Sequence, residues 1–219
     1  MLVYVDDMLV CSKTYEEHIK HLKEFSTICR INGIILSQKK VEIKKEEIDF
    51  LGLTISANGI KLQTHISEKI KDFPDILSDK KTIQKFLGCL NYSESFIPNL
   101  AKKRAVLQKL LKKNNTKGWT AEHIEAVKEL KAECNNLPKL RLPEENDNLI
   151  IQSDASDSYW AALLKTDIGE ICKYTSGTFS TAEINYSTNE KELLAIVKGI
   201  RKFTLFLLPK EFTVETDNT

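Results

Sequence analysis

Two short apolar stretches open the chain, and a helical periodicity follows them. The stretches flank a polar pair, Asp6 and Asp7. Because side chains alternate faces along a strand and a tight turn joins paired strands, this pattern predicts a β-hairpin with both aspartates at its tip. From Tyr15 to Ile31 apolar residues recur at intervals of three or four, which predicts a helix, and Gly33 supplies its stop.

A second hairpin and three helices are predicted next. Residues 41–60 form the hairpin, with Asn58-Gly59 as turn chemistry. The helices are expected at 67–76, at 80–95 with Asp79 as its cap, and at 100–113. A polar linker at 112–118 follows. Beyond an acidic, proline-containing loop at 143–148, strand-like stretches at 149–153, 160–165 and 171–177 precede a helix at 188–207 and a strand at 211–216. The chain is therefore predicted to be α+β.

Composition and charge narrow the class of protein. The chain has 219 residues, 42% hydrophobic and 29% charged, and a formal net charge of +1, which is ordinary for a soluble globular protein. The five cysteines are scattered and lack a C-x-x-C pair, which favours a reducing compartment over a disulfide framework or zinc ribbon. No apolar run approaches a membrane span and no secretory signal is present.

Basic residues concentrate in the third predicted helix and the linker, without an intervening acid. Such a stripe suits a phosphate backbone, although a solvated helix face has the same pattern. Its members are Lys102, Lys103, Arg104, Lys109, Lys112, Lys113 and Lys117.

Two sets of carboxylates carry the candidate chemistry. Asp6 and Asp7 lie beside apolar residues, where ionised groups are rarely found unless paired or bound to metal; a solvated turn is the alternative. Asp154 closes one predicted strand, Asp217 ends another, and Glu192 lies on a small, partly apolar face of the last helix. A sheet with a helix across it can bring these three together around two Mg²⁺ ions, which would activate a water against a phosphodiester. Taken singly, each of these acids is more typical of a solvated surface or a cap.

The sequence motifs around these acids resemble those of a known family, and they occur in the same order along the chain. Tyr4-Val5-Asp6-Asp7 is similar to the polymerase motif of reverse transcriptases. Residues 32–40 resemble the lysine segment that follows it, and residues 49–55 its primer-grip hairpin. Residues 85–92 and 96–100 resemble the thumb, and 119–143 the connection, of gypsy-type retrotransposons and plant pararetroviruses.

The last third resembles the ribonuclease H domain fused to such polymerases. The matching sequence motifs are Ser153-Asp154-Ala155-Ser156-Asp157, Tyr174-Thr175-Ser176-Gly177, Lys191-Glu192-Leu193-Leu194-Ala195 and Thr216-Asp217-Asn218. They place Asp154, Glu192 and Asp217 at the metal positions and leave Asp157, Glu190 and Glu215 as surface. Residues 73–81 and 157–160, with Asn218, favour plant pararetroviruses (caulimovirus-like).

The resemblance implies an architecture. The expected parts are the C-terminal part of a palm at 1–60, a helical thumb at 61–118, a connection at 119–146, and the first part of a ribonuclease H-like mixed sheet with its helix at 147–219.

It also implies residue roles. Asp6 and Asp7 would bind the polymerase metals, and Lys40 (or Lys39) would donate a proton to pyrophosphate. Tyr4 and Val5 would form the floor under the primer end, or equally the hairpin core. Phe50, Leu51 and Gly52 would position the primer terminus.

The implied cofactor is Mg²⁺, two ions per site, with Mn²⁺ as an alternative. The implied partners are an RNA template, a DNA primer, RNA/DNA hybrid and deoxynucleoside triphosphates, within a longer polyprotein. No membrane partner is implied, and the expected location is a cytoplasmic replication complex or virus-like particle.

The family's fingers, first palm aspartate and fourth nuclease acid have no counterpart in the chain. We therefore expect the isolated chain to be inactive or nearly so. A non-catalytic viral remnant that at most binds nucleic acid is the alternative, and a stand-alone nuclease is a weaker one.

Overall fold

The computed structural model describes residues 1–77, 79–112, 118–208 and 210–216. The chain divides into two compact units, Met1–Leu51 and Gly52–Thr219. The candidate residues Lys113 and Asp217, and Lys117 of the basic stripe, lie outside the described residues.

The first unit contains the predicted hairpin and helix. Strands β1 (Leu2–Tyr4) and β2 (Asp7–Leu9) pair antiparallel, and helix α1 spans Tyr15–Ile31 as predicted. Gly33 ends α1 with a φ of 66°: its N–H bonds to Arg30 O and the Ile34 N–H bonds to Cys29 O, the pairing of a Schellman motif.

Strand β3 (Glu47–Phe50) closes the first unit. The prediction of a strand from Val41 onward is wrong for residues 41–46, which contain no strand. Lys44, with a φ of 59°, interrupts the extended backbone there.

The second unit begins with a hairpin of β4 (Leu53–Ser56) and β5 (Gly59–Leu62). Ser56 pairs with Gly59, so the turn residues are Ala57 and Asn58, one position before the predicted Asn58-Gly59. Gly59 instead meets the chain at Leu140: its φ is 119°, and a Cβ would lie 2.2 Å from the Leu140 carbonyl oxygen. Ile60 and Leu140 exchange backbone hydrogen bonds of 2.8 and 3.0 Å, which extends this hairpin by one bridge.

Five helices build the apolar core that follows, with Phe86, Leu90 and Leu100 fully buried in the molecule. Asp79 caps the helix that begins at Lys80, as predicted, and accepts a 2.9 Å hydrogen bond from the Thr82 N–H. The helices are α2 (Thr64–Lys71), α3 (Lys80–Leu90), α4 (Leu100–Lys103), α5 (Ala105–Leu110) and α6 (Ala121–Asn135).

Three of the predicted helices differ from the observed ones in their boundaries. Helix α2 begins earlier and ends at Lys71, because Phe73 precedes Pro74 and that position disfavours helical backbone. Helix α3 ends at Leu90 and continues as a 3₁₀ turn, Asn91–Ser93. The third predicted helix is divided at Arg104.

The last part of the second unit is a four-stranded mixed sheet covered by one long helix. Its elements are β6 (Leu149–Ala155), β7 (Tyr159–Thr166), β8 (Ile171–Thr178), α7 (Thr188–Leu207) and β9 (Phe212–Glu215). The strand order is β8-β7-β6-β9, with β9 parallel to β6 and the other pairs antiparallel. The predicted β-β-β-α-β order is confirmed.

Helix α7 is fixed on the sheet by small and aromatic residues. Ala195 and Phe203 are fully buried, and Gly199 lies so close to β7 that a Cβ would be 2.8 Å from Ala162 Cβ. A capping box of Ser187 and Glu190 starts the helix. Among the described helices, none combines the length and hydropathy that crossing a membrane requires.

Candidate carboxylate sites

The first candidate site is the tip of the β1–β2 hairpin. Tyr4 pairs with Asp7 across the strands, so Val5 and Asp6 are the two turn residues. The side chains of Asp6 and Asp7 are both exposed. The hairpin therefore presents two adjacent carboxylates at its tip, as the sequence predicts.

Val5 has an unusual backbone at this tip. Its φ is 51°, a region that β-branched residues seldom adopt because of steric conflict. Val5 is 82% exposed and Tyr4 59% exposed, so neither is part of a hairpin core. Of the two alternatives left open for them, burial within the hairpin is wrong. Backbone strain of this kind is found preferentially at functional sites.

Lys39 and Lys40 lie exposed in a turn of the same unit, in which the Lys40 N–H donates to Ser37 O at 2.9 Å. Within the described part of the chain, no hydrogen bond or ion pair joins Lys40 to Asp6 or Asp7. The role of Lys40 as a proton donor stays a prediction.

Two of the predicted primer-positioning residues have backbone in the positive-φ region: the φ of Leu51 is 50° and that of Gly52 is 82°. A Cβ on Gly52 would come within 2.6 Å of the Tyr92 ring, so a larger residue does not fit there.

The basic stripe is not one uniform surface. Lys103 forms an ion pair with Glu133, and Arg104 donates to Asn91 Oδ1 at 2.9 Å. These two cations are therefore engaged within the protein. The exposed members among the described residues are Lys102, Lys109 and Lys112.

The second candidate site lies where β6 meets α7. Asp154 is an exposed residue near the end of β6. The Glu192 carboxylate, from α7, accepts a hydrogen bond of 3.3 Å from the backbone N–H of Ala155, the next residue on β6. The tertiary structure thus brings these two predicted acids, far apart in sequence, to one end of the sheet.

The three neighbouring acids Asp157, Glu190 and Glu215 are exposed, and each lies near a partner within the protein. Glu190 caps α7, accepting from the Ser187 N–H at 2.8 Å, which lowers its pKa. Glu215 accepts from Lys165, 3.1 Å away, and from Gln152, and the Lys165 contact is the main cause of its lowered pKa. Asp157 is fully exposed, with Lys191 Nζ 4.0 Å away.

The donor atoms of this second site suit a hard divalent cation. Carboxylate oxygens are the ligands that Mg²⁺ prefers, and Asp154 and Glu192 supply them at one edge. Over residues 1–77, 79–112, 118–208 and 210–216, no three His, Cys, Asp or Glu side chains are close enough together to hold a metal. A complete ligand set would need Asp217 or further residues.

A cleft beside Asp154 contains residues that the sequence interpretation did not connect with it. Asn99 and Lys102 come from the start of α4, Tyr159 and Ser176 from the sheet, and Ser156 from the connection between β6 and β7. Lys102 was noted only as part of the basic stripe. No local signal could have joined Asn99 to Asp154, because the cleft exists only where α4 packs on the sheet.

Comparison with protein families identifies two regions. Residues 1–55 match the family described as reverse transcriptase (RNA-dependent DNA polymerase), and residues 119–214 match the RNase H-like domain found in reverse transcriptase. The hairpin lies in the first match, and Asp154 and Glu192 lie in the second.

Curated relatives cover nearly the whole chain. The enzymatic polyprotein of Figwort mosaic virus is 47% identical over 99% of this chain, and that of Cauliflower mosaic virus is 44% identical over 99%. In both cases the chain spans 33% of the relative's length.

Solved structures agree with this similarity. A foamy viral protease-reverse transcriptase in complex with RNA/DNA hybrid has a TM-score of 0.80 and 27% identity, over 98% of this chain and 30% of that one. The same viral protein in complex with dsDNA has a TM-score of 0.75 over 98% of this chain and 46% of that one.

Proposed function

We propose that this chain, which joins a reverse transcriptase segment to a ribonuclease H-like domain, works as part of a viral RNA-directed DNA polymerase that also cuts RNA in a hybrid. The observation that carries this proposal is the contact of Glu192 with the Ala155 N–H, beside Asp154. Its substrates would be an RNA template, a DNA primer, deoxynucleoside triphosphates and the RNA/DNA hybrid.

The nuclease site would consist of Asp154, Glu192 and Asp217. Gln152 and Glu215 are the last register partners of the parallel strands β6 and β9, and Asp154 follows Gln152 on β6. Glu192 reaches the same end of the sheet from α7. Two Mg²⁺ ions, or Mn²⁺, would supply the activated water and the charge that stabilises the leaving oxygen.

Residues of the chain would position the carboxylates that bind the metal ions. The Ala155 N–H donates to the Glu192 carboxylate and would hold it at this end of the sheet, where it could reach a bound cation. Asp154 is exposed on β6, one residue before Ala155, and would supply a second carboxylate. Phosphodiester hydrolysis depends on the relative placement of nucleophile and leaving group, which these two acids would help to set.

The polymerase site would use the hairpin tip. Asp6 and Asp7 would bind Mg²⁺ at the turn, and Tyr4 and Val5 would support the primer end. Phe50, Leu51 and Gly52 would position the primer terminus, and Lys40 (or Lys39) would protonate pyrophosphate. The exposed basic residues Lys102, Lys109 and Lys112 would contact the phosphate backbone.

We also propose the division into palm (1–60), thumb (61–118), connection (119–146) and nuclease (147–219) regions. The similarity to caulimovirus polyproteins supports a place within a longer polyprotein. A cytoplasmic replication complex or virus-like particle would be its location.

The test is a chimera in which this chain replaces the matching third of the Figwort mosaic virus polyprotein. We expect primer extension and cleavage of the RNA strand of a hybrid, both dependent on Mg²⁺. Asp154→Asn should reduce cleavage by more than the roughly 10–100-fold typical of changes outside the ligand set, and leave extension intact. Asp7→Asn should reduce primer extension and leave RNA cleavage intact.

Asp157→Asn is the matched control, because Asp157 is an exposed acid three residues from Asp154 and should affect neither reaction. Equal losses for Asp154→Asn and Asp157→Asn would contradict the assignment. A folded chimera that binds hybrid but performs neither reaction would support the non-catalytic alternative.

A further inference from the structure

The start of helix α4 is held firmly against the edge strand of the nuclease-like sheet. The buried Ser176 hydroxyl of β8 accepts a 2.9 Å hydrogen bond from the Ala101 N–H. The Tyr174 N–H donates to Ser95 O, also at 2.9 Å. Leu100 and Ala101 are buried, so this contact excludes water. Whatever α4 presents next to the sheet is therefore fixed in place.

What α4 presents is one face of the cleft that contains Asp154. Asn99 and Lys102 form the helical side, and Asp154, Ser156 and Tyr159 belong to the sheet side. Both Asn99 and Lys102 are exposed. Among the described residues, neither side chain forms a hydrogen bond or an ion pair, and Lys102 does not pair with Asp154 although they share the cleft. The cleft thus offers a cation and an amide next to a candidate metal ligand.

This combination fits a nucleotide strand better than a small anion. A metal bound at Asp154 would hold one phosphate, and Lys102 could neutralise another along the same backbone. The Asn99 amide both donates and accepts, as does the 2′-hydroxyl that distinguishes RNA from DNA. Asn99 lines the cleft, has a φ of 56°, and makes no side-chain cap bond to its own helix.

We propose that Asn99 and Lys102 form a binding subsite for the sugar-phosphate backbone of the RNA strand, next to the site of cleavage. The inference rests on the proposed function, since the RNA strand is the one cut at Asp154. It assigns to α4, outside the nuclease-like sheet, a part in selecting hybrid over DNA duplex. Lys102 would bind a phosphate and Asn99 a ribose.

The experiment measures binding of the 219-residue chain to labelled RNA/DNA hybrid and to DNA duplex of the same sequence, by fluorescence anisotropy in EDTA. Removing metal prevents cleavage and removes any contribution from the metal site. Lys102→Ala should weaken binding to both duplexes about three- to tenfold and lower the salt slope by about 1. Asn99→Gly, which keeps the backbone conformation, should weaken hybrid binding about two- to tenfold and leave DNA duplex binding unchanged.

Lys128→Ala is the control, because Lys128 is an exposed lysine on α6 that is not among the residues lining the cleft. Thermal unfolding of each variant checks that the fold is intact. Hybrid binding by Lys102→Ala and Asn99→Gly equal to wild type overturns the subsite, and so does a wild-type chain that binds neither duplex. The cleavage assay of the chimera, which depends on Asp154, tests the proposed function separately.

Discussion

The Glu192 carboxylate accepts a 3.3 Å hydrogen bond from the backbone N–H of Ala155. This contact links helix α7 to the strand that carries Asp154. From it we predict that the negative charge of Glu192 is needed for cleavage but not for folding. Glu192→Gln keeps a carbonyl oxygen that can accept the same hydrogen bond but removes the negative charge that a cation needs.

We therefore expect Glu192→Gln to leave the free energy of unfolding within about 0.5 kcal/mol of wild type. RNA cleavage by the chimera should fall by more than about 100-fold. Glu190→Gln is the control, since glutamine also completes a capping box. Full cleavage by Glu192→Gln would mean that Glu192 only anchors the helix.

Two glycines in helices should respond to alanine in opposite directions. At Gly199 the new Cβ would lie 2.8 Å from Ala162 Cβ, which cannot move without the strand, so Gly199→Ala should destabilise the protein by about 1–3 kcal/mol. At the exposed Gly88 nothing lies within 4 Å, and Gly88→Ala should stabilise α3 by about 0.5–1 kcal/mol. Urea denaturation of both variants measures the difference. Equal effects would show that α7 does not lie against β7 as closely as described.

Glu183 predicts a stability that depends on pH. Its hydrogen bond to Lys198, with the Ser180 N–H as the second cause, lowers its pKa from 4.5 to about 2. Because the folded pKa is below the unfolded one, the stabilisation is present above about pH 5 and is lost as the pH falls through 2.

The urea midpoint of wild type should therefore exceed that of Glu183→Gln most above pH 5, and the two should converge near pH 2. The contact is partly open to solvent, so added salt should reduce the difference. Glu125→Gln on α6 is the control, because within the described residues Glu125 forms no side-chain hydrogen bond. A constant difference from pH 7 to pH 2 would contradict this account.

Val5 predicts a strained turn at the hairpin tip. Asparagine tolerates positive φ better than a β-branched residue, so Val5→Asn should stabilise the hairpin by on the order of 1 kcal/mol. Hydrogen exchange of the hairpin amides reports its local opening. Val3→Asn is the control: Val3 lies in the extended strand β1, where asparagine is disfavoured, so this change should destabilise the hairpin. Faster exchange in Val5→Asn than in wild type would argue against strain at this position.

Local patterns were enough to predict much of the secondary structure. Helices α1 and α7 have the predicted ends, and Asp79 caps α3, because periodicity and caps act within a few residues along the chain. The aspartates at the hairpin tip were predicted for the same reason. Some errors had local causes, such as Pro74 beyond the end of α2, and others arose where a neighbour distant in sequence intervenes, as at Gly59, which is constrained by Leu140.

The sequence by itself determined which acids and bases are present, and in which elements they lie. Only the tertiary structure decided which of them meet. The contact of Glu192 with Ala155, the pairing of Lys103 with Glu133 and the cleft that Asn99 shares with Asp154 all join distant segments. The physical reason is that such contacts depend on how buried apolar surfaces pack, and packing is a property of the whole core rather than of any local pattern.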